Sequence, residues 1–147
     1  MKIVREHINE KFVEDSDPIH DMGIGMIKQI KDWLKRYNIK DYTINNDLTI
    51  DVHGSVHISN EILRNFPKYI QFNIVKGMFV IQYNNFTTLR GCPKIVKDMF
   101  SCSDNLLTSL EYAPKEASDF YCHGNTKQFT KNDVLKYCKV EPGRICT

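Results

Sequence analysis

The sequence predicts an α+β fold in which the chain winds into a short solenoid. A helix and a β-hairpin close one end and a small helical cap closes the other. Three observations predict it. The stretch FVIQYNNFTTLRGCPK (79–94) recurs 21 residues later as FSCSDNLLTSLEYAPK (100–115). Each copy opens with alternating apolar residues, which is strand periodicity with one face buried. Each then places an Asn where a chain leaving a strand must turn and its backbone groups lose their ladder partners.

The copies align residue by residue. Val75 falls on Val96, Phe79 on Phe100, Ile81 on Cys102, Asn84 on Asn105, Leu89 on Leu110 and Pro93 on Pro114. A third copy begins at Phe120, Cys122 and Asn125. A fainter one precedes them at Val56, Ile58, Leu63, Phe66 and Pro67, with Glu61 in the Asn position. A repeat of this length means a stacked array, in which each coil covers the apolar edge of the next. About four coils are expected over residues 54–128. A buried Asn carries two donors and an acceptor, so Asn84, Asn105 and Asn125 should form a ladder that satisfies neighbouring turns. Phe86, Leu89, Leu107 and Leu110 return inward, and Pro93 and Pro114 close coils where no donor is needed. Lys127 stands where an inward Leu is expected, so the stack should end there.

The patterns FxIxxNxFxxL (79–89) and FxCxxNxLxxL (100–110) resemble the LxLxxNxLxxL core of leucine-rich repeats. The resemblance implies a right-handed leucine-rich-repeat-type solenoid with one parallel strand per coil. Phe in place of Leu at the first strand position departs from the family pattern and suits a wide coil.

The ends follow from local signals. Residues 16–40 form an amphipathic helix. Asp17 and Pro18 suit its start, and Met26, Ile27, Ile30, Trp33, Leu34 and Tyr37 recur at helical spacing opposite Lys28, Lys31, Lys35 and Arg36. The stripe is expected to dock on the solenoid; a membrane-surface helix is the competing reading. Residues 41–53 read as a hairpin cap, two strands around Asn45–Asn46–Asp47. In the C-terminal cap, 129–147, Thr130 and Asp133 form a capping-box variant flanked by Phe129 and Val134. Val134, Leu135 and Cys138 make an apolar face, and Arg144–Ile145–Cys146 is a candidate last strand. All of this is one compact domain, with residues 1–15 as a leader or flexible N-terminus.

Those first residues carry a second resemblance. MKIVREHINEKF is similar to the capsid-targeting leaders of T-even-like tailed phages, which are cut after a Leu/Ile–x–Glu tripeptide; Ile8–Asn9–Glu10 fits, with cleavage after Glu10. KFVEDSDPIHDMGIG is similar to N-termini of small leucine-rich-repeat proteins of large phages. The resemblance implies a phage-encoded protein acting in the host cytoplasm or packaged in the virion.

Composition narrows the function classes. The chain has 147 residues, a net charge of +2 and 41% hydrophobic residues. That charge is too mild to argue for nucleic acid, and no apolar run reaches membrane-spanning length. Five cysteines, none in a CxxC pair, read as reduced cytosolic thiols. Cys102, Cys122 and His123 lack the paired spacing of a structural zinc site, and the repeat puts both cysteines inward. No phosphate loop, HExxH or GxSxG is present. No cofactor or metal is expected, and the protein is read as not an enzyme.

Binding follows from the geometry of stacked strands. Residues between the inward positions share one open face: His57, Val80, Ser101 and Tyr121 in one column, then Ser59, Gln82, Ser103 and His123, with Tyr83 and Met99 beside them. Aromatic and Met side chains in a shallow array suit protein recognition. The expected partner-binding residues are His57, Val80, Gln82, Tyr83, Met99, Ser101, Tyr121 and His123. The expected partner is a host protein, with a defence system as its setting in the phage reading, and the chain itself is expected to be a monomer or weak homo-oligomer. An internal virion protein is the alternative.

Overall fold

A computed structural model of the chain describes residues 18–147, and side chains from residue 23 onward. The leader with its cleavage position after Glu10, and the helix cap at Asp17, lie outside the described residues.

The fold is a β-solenoid of about five turns of parallel strands. It opens with helix α1 (Pro18–Arg36). The helix closes where Asn38 takes a left-handed conformation, φ 60°. That bend lets the N–H of Ile39 bond the Leu34 carbonyl and the N–H of Asn38 bond the Lys35 carbonyl, a Schellman closure. Ile27, Ile30, Trp33 and Leu34 are buried. Trp33 meets Phe66 and Phe72 edge-on, with ring centroids 5.7 and 6.3 Å apart. The apolar stripe is therefore spent on the first coil, as the docked reading expects. Among the described residues no helix is long and apolar enough to cross a membrane.

Strand β1 (Tyr42–Ile44) and β2 (Ile50–Val52) pair antiparallel. The hairpin is more than a cover, because β2 also pairs in parallel with β4 (Phe72–Val75) and so forms the first rung of the stack. Strand β4 pairs with β6 (Ile95–Val96), and single bridges at Glu116 and Lys139 carry this first ladder onward. A second ladder runs beside it: β3 (Val56–His57), β5 (Phe79–Val80), β7 (Met99–Ser101), β8 (Asp119–Tyr121) and β9 (Ile145–Cys146), all parallel and in that order.

Two expectations are corrected here. Each middle coil carries two short strands rather than one, and there are about five turns rather than four. The extra strand is β4 (Phe72–Val75) in one coil and β6 (Ile95–Val96) in the next. The chain then bends through Lys76–Gly77 or Lys97–Asp98 before the second strand begins. The bend is tied to the coil before it: the Gly77 N–H bonds the Gly54 carbonyl at 2.9 Å, and the Lys97 N–H bonds the Val75 carbonyl at 2.9 Å. A Cβ on Gly77 would lie 2.8 Å from the Gly54 backbone, so the corner needs glycine for close approach.

The interior is a column of rings. Phe79 pairs with Phe100, and Phe100 with Phe120, on adjacent parallel strands. Phe79 and Phe100 stack 8° from parallel at 6.0 Å, and Phe100 and Phe120 lie 5.0 Å apart. All three are fully buried, each contributing roughly 1.5–3 kcal/mol of hydrophobic burial. The row does not end at the third copy. Ile145 takes the next place in β9 opposite Phe120.

Lys127 does leave the inward position, and Phe129 and Val134 fill the space from the cap. Helix α2 (Lys131–Leu135) starts with the expected capping box. Asp133 Oδ2 accepts the Thr130 N–H at 2.9 Å, and Thr130 Oγ1 accepts the Asp133 N–H at 3.2 Å. Leu135 faces solvent rather than the core.

Candidate functional site

The outer face of the second ladder is set by strand alternation. With Phe79, Phe100 and Phe120 inward, their neighbours point the other way. One outer column holds His57, Val80, Ser101, Tyr121 and Cys146, in register across all five strands. The next positions along each strand continue the pattern: Ile58, Ile81, Cys102 and Cys122 are buried inward, so Ser59, Gln82, Ser103 and His123 fall outward. Met99 precedes Phe100 and faces the same side, opposite Asp119.

The predicted residues thus lie on one face, but they do not contribute equally to its surface. His57 and His123 are exposed, and Gln82, Met99 and Tyr121 are half-buried. Val80 and Ser101 are only 4% and 2% exposed. Val80 stands outside the contiguous core although it is buried. Tyr83 is the largest exposed side chain among the eight, at 54%.

Tyr83 owes that exposure to its backbone. Each coil leaves its strand through one residue in the left-handed region: Asn60, Tyr83, Asp104 and Gly124, with φ between 56° and 73°. That twist turns the next side chain, Asn84, Asn105 or Asn125, back under the turn. Asn84 Nδ2 donates to the carbonyls of Ile58 and Ile81, and its Oδ1 accepts the Glu61 N–H. Asn105 and Asn125 repeat the scheme one and two coils on. The ladder is scaffold, and its by-product is a rim. Ile62 (76% exposed) and Leu106 (48%) stand two residues past the left-handed positions Asn60 and Asp104, in the turns of the coils before and after that of Tyr83. Sequence reasoning missed these two. The signal for Leu106 was the doublet Leu106–Leu107, of which only one member can turn inward.

The C-terminal end of the face is polar. Ser103 Oγ lies 3.1 Å from Nδ1 of His123, and Asp104 Oδ2 lies 3.7 Å from its Nε2. Tyr121 stands edge-on to the same ring at 6.5 Å. Asp119 is gripped by the Arg144 guanidinium, Nε to Oδ1 at 2.8 Å and a terminal nitrogen to Oδ2 at 2.9 Å. This two-pronged bond fastens the last rung to the one before it.

Cys102, Cys122 and His123 are not brought together. Both thiols are buried on the inner side while the imidazole is on the outer one. Burial pushes the Cys122 thiol up to about 12 and that of Cys102 well above its ordinary value. Among the described residues no group of three or more His, Cys, Asp or Glu is arranged to hold a metal ion. A groove of about 560 Å³ lies elsewhere, at the corner around Lys97, Glu116 and Lys139.

Comparison of the chain with known proteins returns no matching family model, no matching curated protein and no matching solved structure.

Proposed function

We propose that the protein is a non-enzymatic protein-binding module of leucine-rich-repeat type, encoded by a phage, that engages a host protein through the outer face of the second ladder. The repeat pattern and the Asn ladder support the repeat class. The N-terminal resemblance supports the phage setting and, with it, action in the host cytoplasm. The binding role rests on one observation: a shallow, regular face with exposed Tyr83 at its turn edge and exposed Ile62 and Leu106 in the turns of the neighbouring coils. Pre-set aromatic and aliphatic side chains bury much area at little entropic cost. A stack of this size offers an interface of about 800 Å² per partner. Affinity capture from host lysate, followed by reconstitution with the purified partner, tests the reading. A single host protein retained in stoichiometric amount supports it, and a component of a defence system would make inhibition of that system the activity. Retention equal to that of a blank column overturns it.

The tripeptide Ile8–Asn9–Glu10 favours a second reading, an internal virion protein packaged through its leader. Mass spectrometry of purified particles should then find the chain beginning at Lys11. Its absence from particles, or an intact Met1 there, rejects this reading.

A further inference from the structure

The last rung carries a thiol to the histidine at the end of the outer face. Cys146 is exposed, and its Sγ lies 3.7 Å from Nδ1 of His123. It sits in β9, the terminal strand of its ladder, opposite Tyr121. The fully buried Ser103 anchors the same ring nitrogen, and Asp104 faces the other. In the tautomer with its proton on Nε2, toward the carboxylate, Nδ1 is the acceptor that the Ser103 hydroxyl at 3.1 Å and the Cys146 thiol at 3.7 Å share. A nucleophile, a base within reach and a third group orienting the base form the arrangement that activates cysteine. The other four cysteines are buried. Burial raises the thiols of Cys122 and Cys138 to about 12 and those of Cys92 and Cys102 well above their ordinary value. Cys146 is therefore the one of the five thiols open to solvent.

We propose that Cys146 is a modification site, a thiol that exchanges with low-molecular-weight disulfides, with His123 as its proton acceptor. Sγ of Cys146 attacks one sulfur of the disulfide while its proton passes to Nδ1. The S–S bond of the small molecule breaks, a mixed disulfide forms on Cys146, and the departing thiolate takes the proton from Nδ1. The protein thiol is oxidised, the small disulfide is reduced, and His123 ends neutral. Asp104 stabilises the transient imidazolium. The Ser103 hydroxyl rotates from donating to Nδ1 to accepting from it. Exchange asks only for a thiolate, access and a proton acceptor. Acyl transfer would also need donors aimed at an oxyanion. The inference is independent of the partner reading, since it concerns only this chain and a small molecule.

The test is the reaction of the full-length protein with hydroxyethyl disulfide, followed by intact-mass and peptide mass spectrometry. One adduct per chain is expected, on Cys146, and Cys146→Ser should abolish it. The rate should exceed that of the free pentapeptide Gly-Arg-Ile-Cys-Thr by about tenfold or more, a threshold set below the roughly hundredfold lower end of general-base assistance. His123→Gln should remove that advantage, and Asp104→Asn should reduce the rate severalfold. A native rate equal to the peptide's overturns the proposal and does not depend on any variant folding. So does an unchanged rate in His123→Gln, an adduct on another cysteine, or a covalent dimer of the chain as the sole product.

Discussion

The side chain of Asn105 reaches back to the preceding coil and bonds the carbonyl of Ile81 at 2.9 Å. Its Oδ1 accepts the Phe86 N–H, also from that coil, at 3.0 Å. One buried amide thus joins a strand end and a turn that lie in different parts of the chain. Asn105→Ala should cost on the order of 1–3 kcal/mol by leaving these groups unpaired. Asn125→Ala should cost less, because Asn125 is only half-buried. Urea denaturation of both variants checks the order. A neutral Asn105→Ala would mean that the ladder does not hold the coils.

Gly91 and Tyr112 occupy equivalent places in successive coils, both with positive φ, 93° and 70°. A Cβ on Gly91 would lie 2.8 Å from the Ile70 carbonyl oxygen and 3.2 Å from Phe66. Gly91→Ala should therefore destabilise by about 1–3 kcal/mol through backbone strain and crowding. Tyr112 is 55% exposed and carries the strain without the crowding. Tyr112→Gly should leave the melting temperature unchanged or raise it. A lowered melting temperature for Gly91→Ala and no lowering for Tyr112→Gly is the expected result of thermal melts.

The capping box at the C-terminal end is sensitive to acid. The Thr130 N–H bonded to Asp133, with help from Lys127 and Lys136, holds that carboxyl below its ordinary value. A carboxylate depressed in the folded state stabilises it above the unfolded pKa and loses that contribution as pH falls through the folded one. Asp133→Asn should accordingly lower the melting temperature at neutral pH, and the difference from the native chain should close as pH falls below about 4. A difference that persists in acid would assign the effect to something other than the charge.

On the outer face, Tyr83→Ala combined with Tyr121→Ala should abolish capture of the partner while leaving the melting temperature nearly unchanged. Tyr83 is largely exposed and Tyr121 is half-buried. Leu135→Ala, an exposed apolar truncation on the cap, should capture normally. Capture lost only in the Leu135 variant would move the binding site to the cap.

The repeat was legible because stacking forces equivalent residues into equivalent places. The positions of Phe79, Phe100 and Phe120 and of the three Asn residues follow from spacing alone. The second strand of each coil was not legible. Phe72–Val75 and Ile95–Val96 are too short to show a period, and so short a strand is defined by its neighbours rather than by its own sequence. The last rung was legible only as a possibility, because Ile145–Cys146 aligns with Phe120–Tyr121 across a cap of different composition. The face was legible as a column but not as a surface. Val80 looks outward on paper yet is covered, whereas Tyr83 falls on the inward parity and is turned out by its left-handed backbone.

Partners across the second ladder are separated by 23, 21, 20 and 25 residues, yet they stay in register. The difference in length is taken up away from the rungs, most visibly in the last coil, where α2 and a short 3₁₀ helix (Pro142–Arg144) are accommodated before β9. The perimeter is therefore divided into a ruled side, where spacing is fixed by hydrogen bonds, and a slack side, where chain can be added. Foreign loops grafted at the slack side would be displayed at regular intervals on a scaffold that need not notice them.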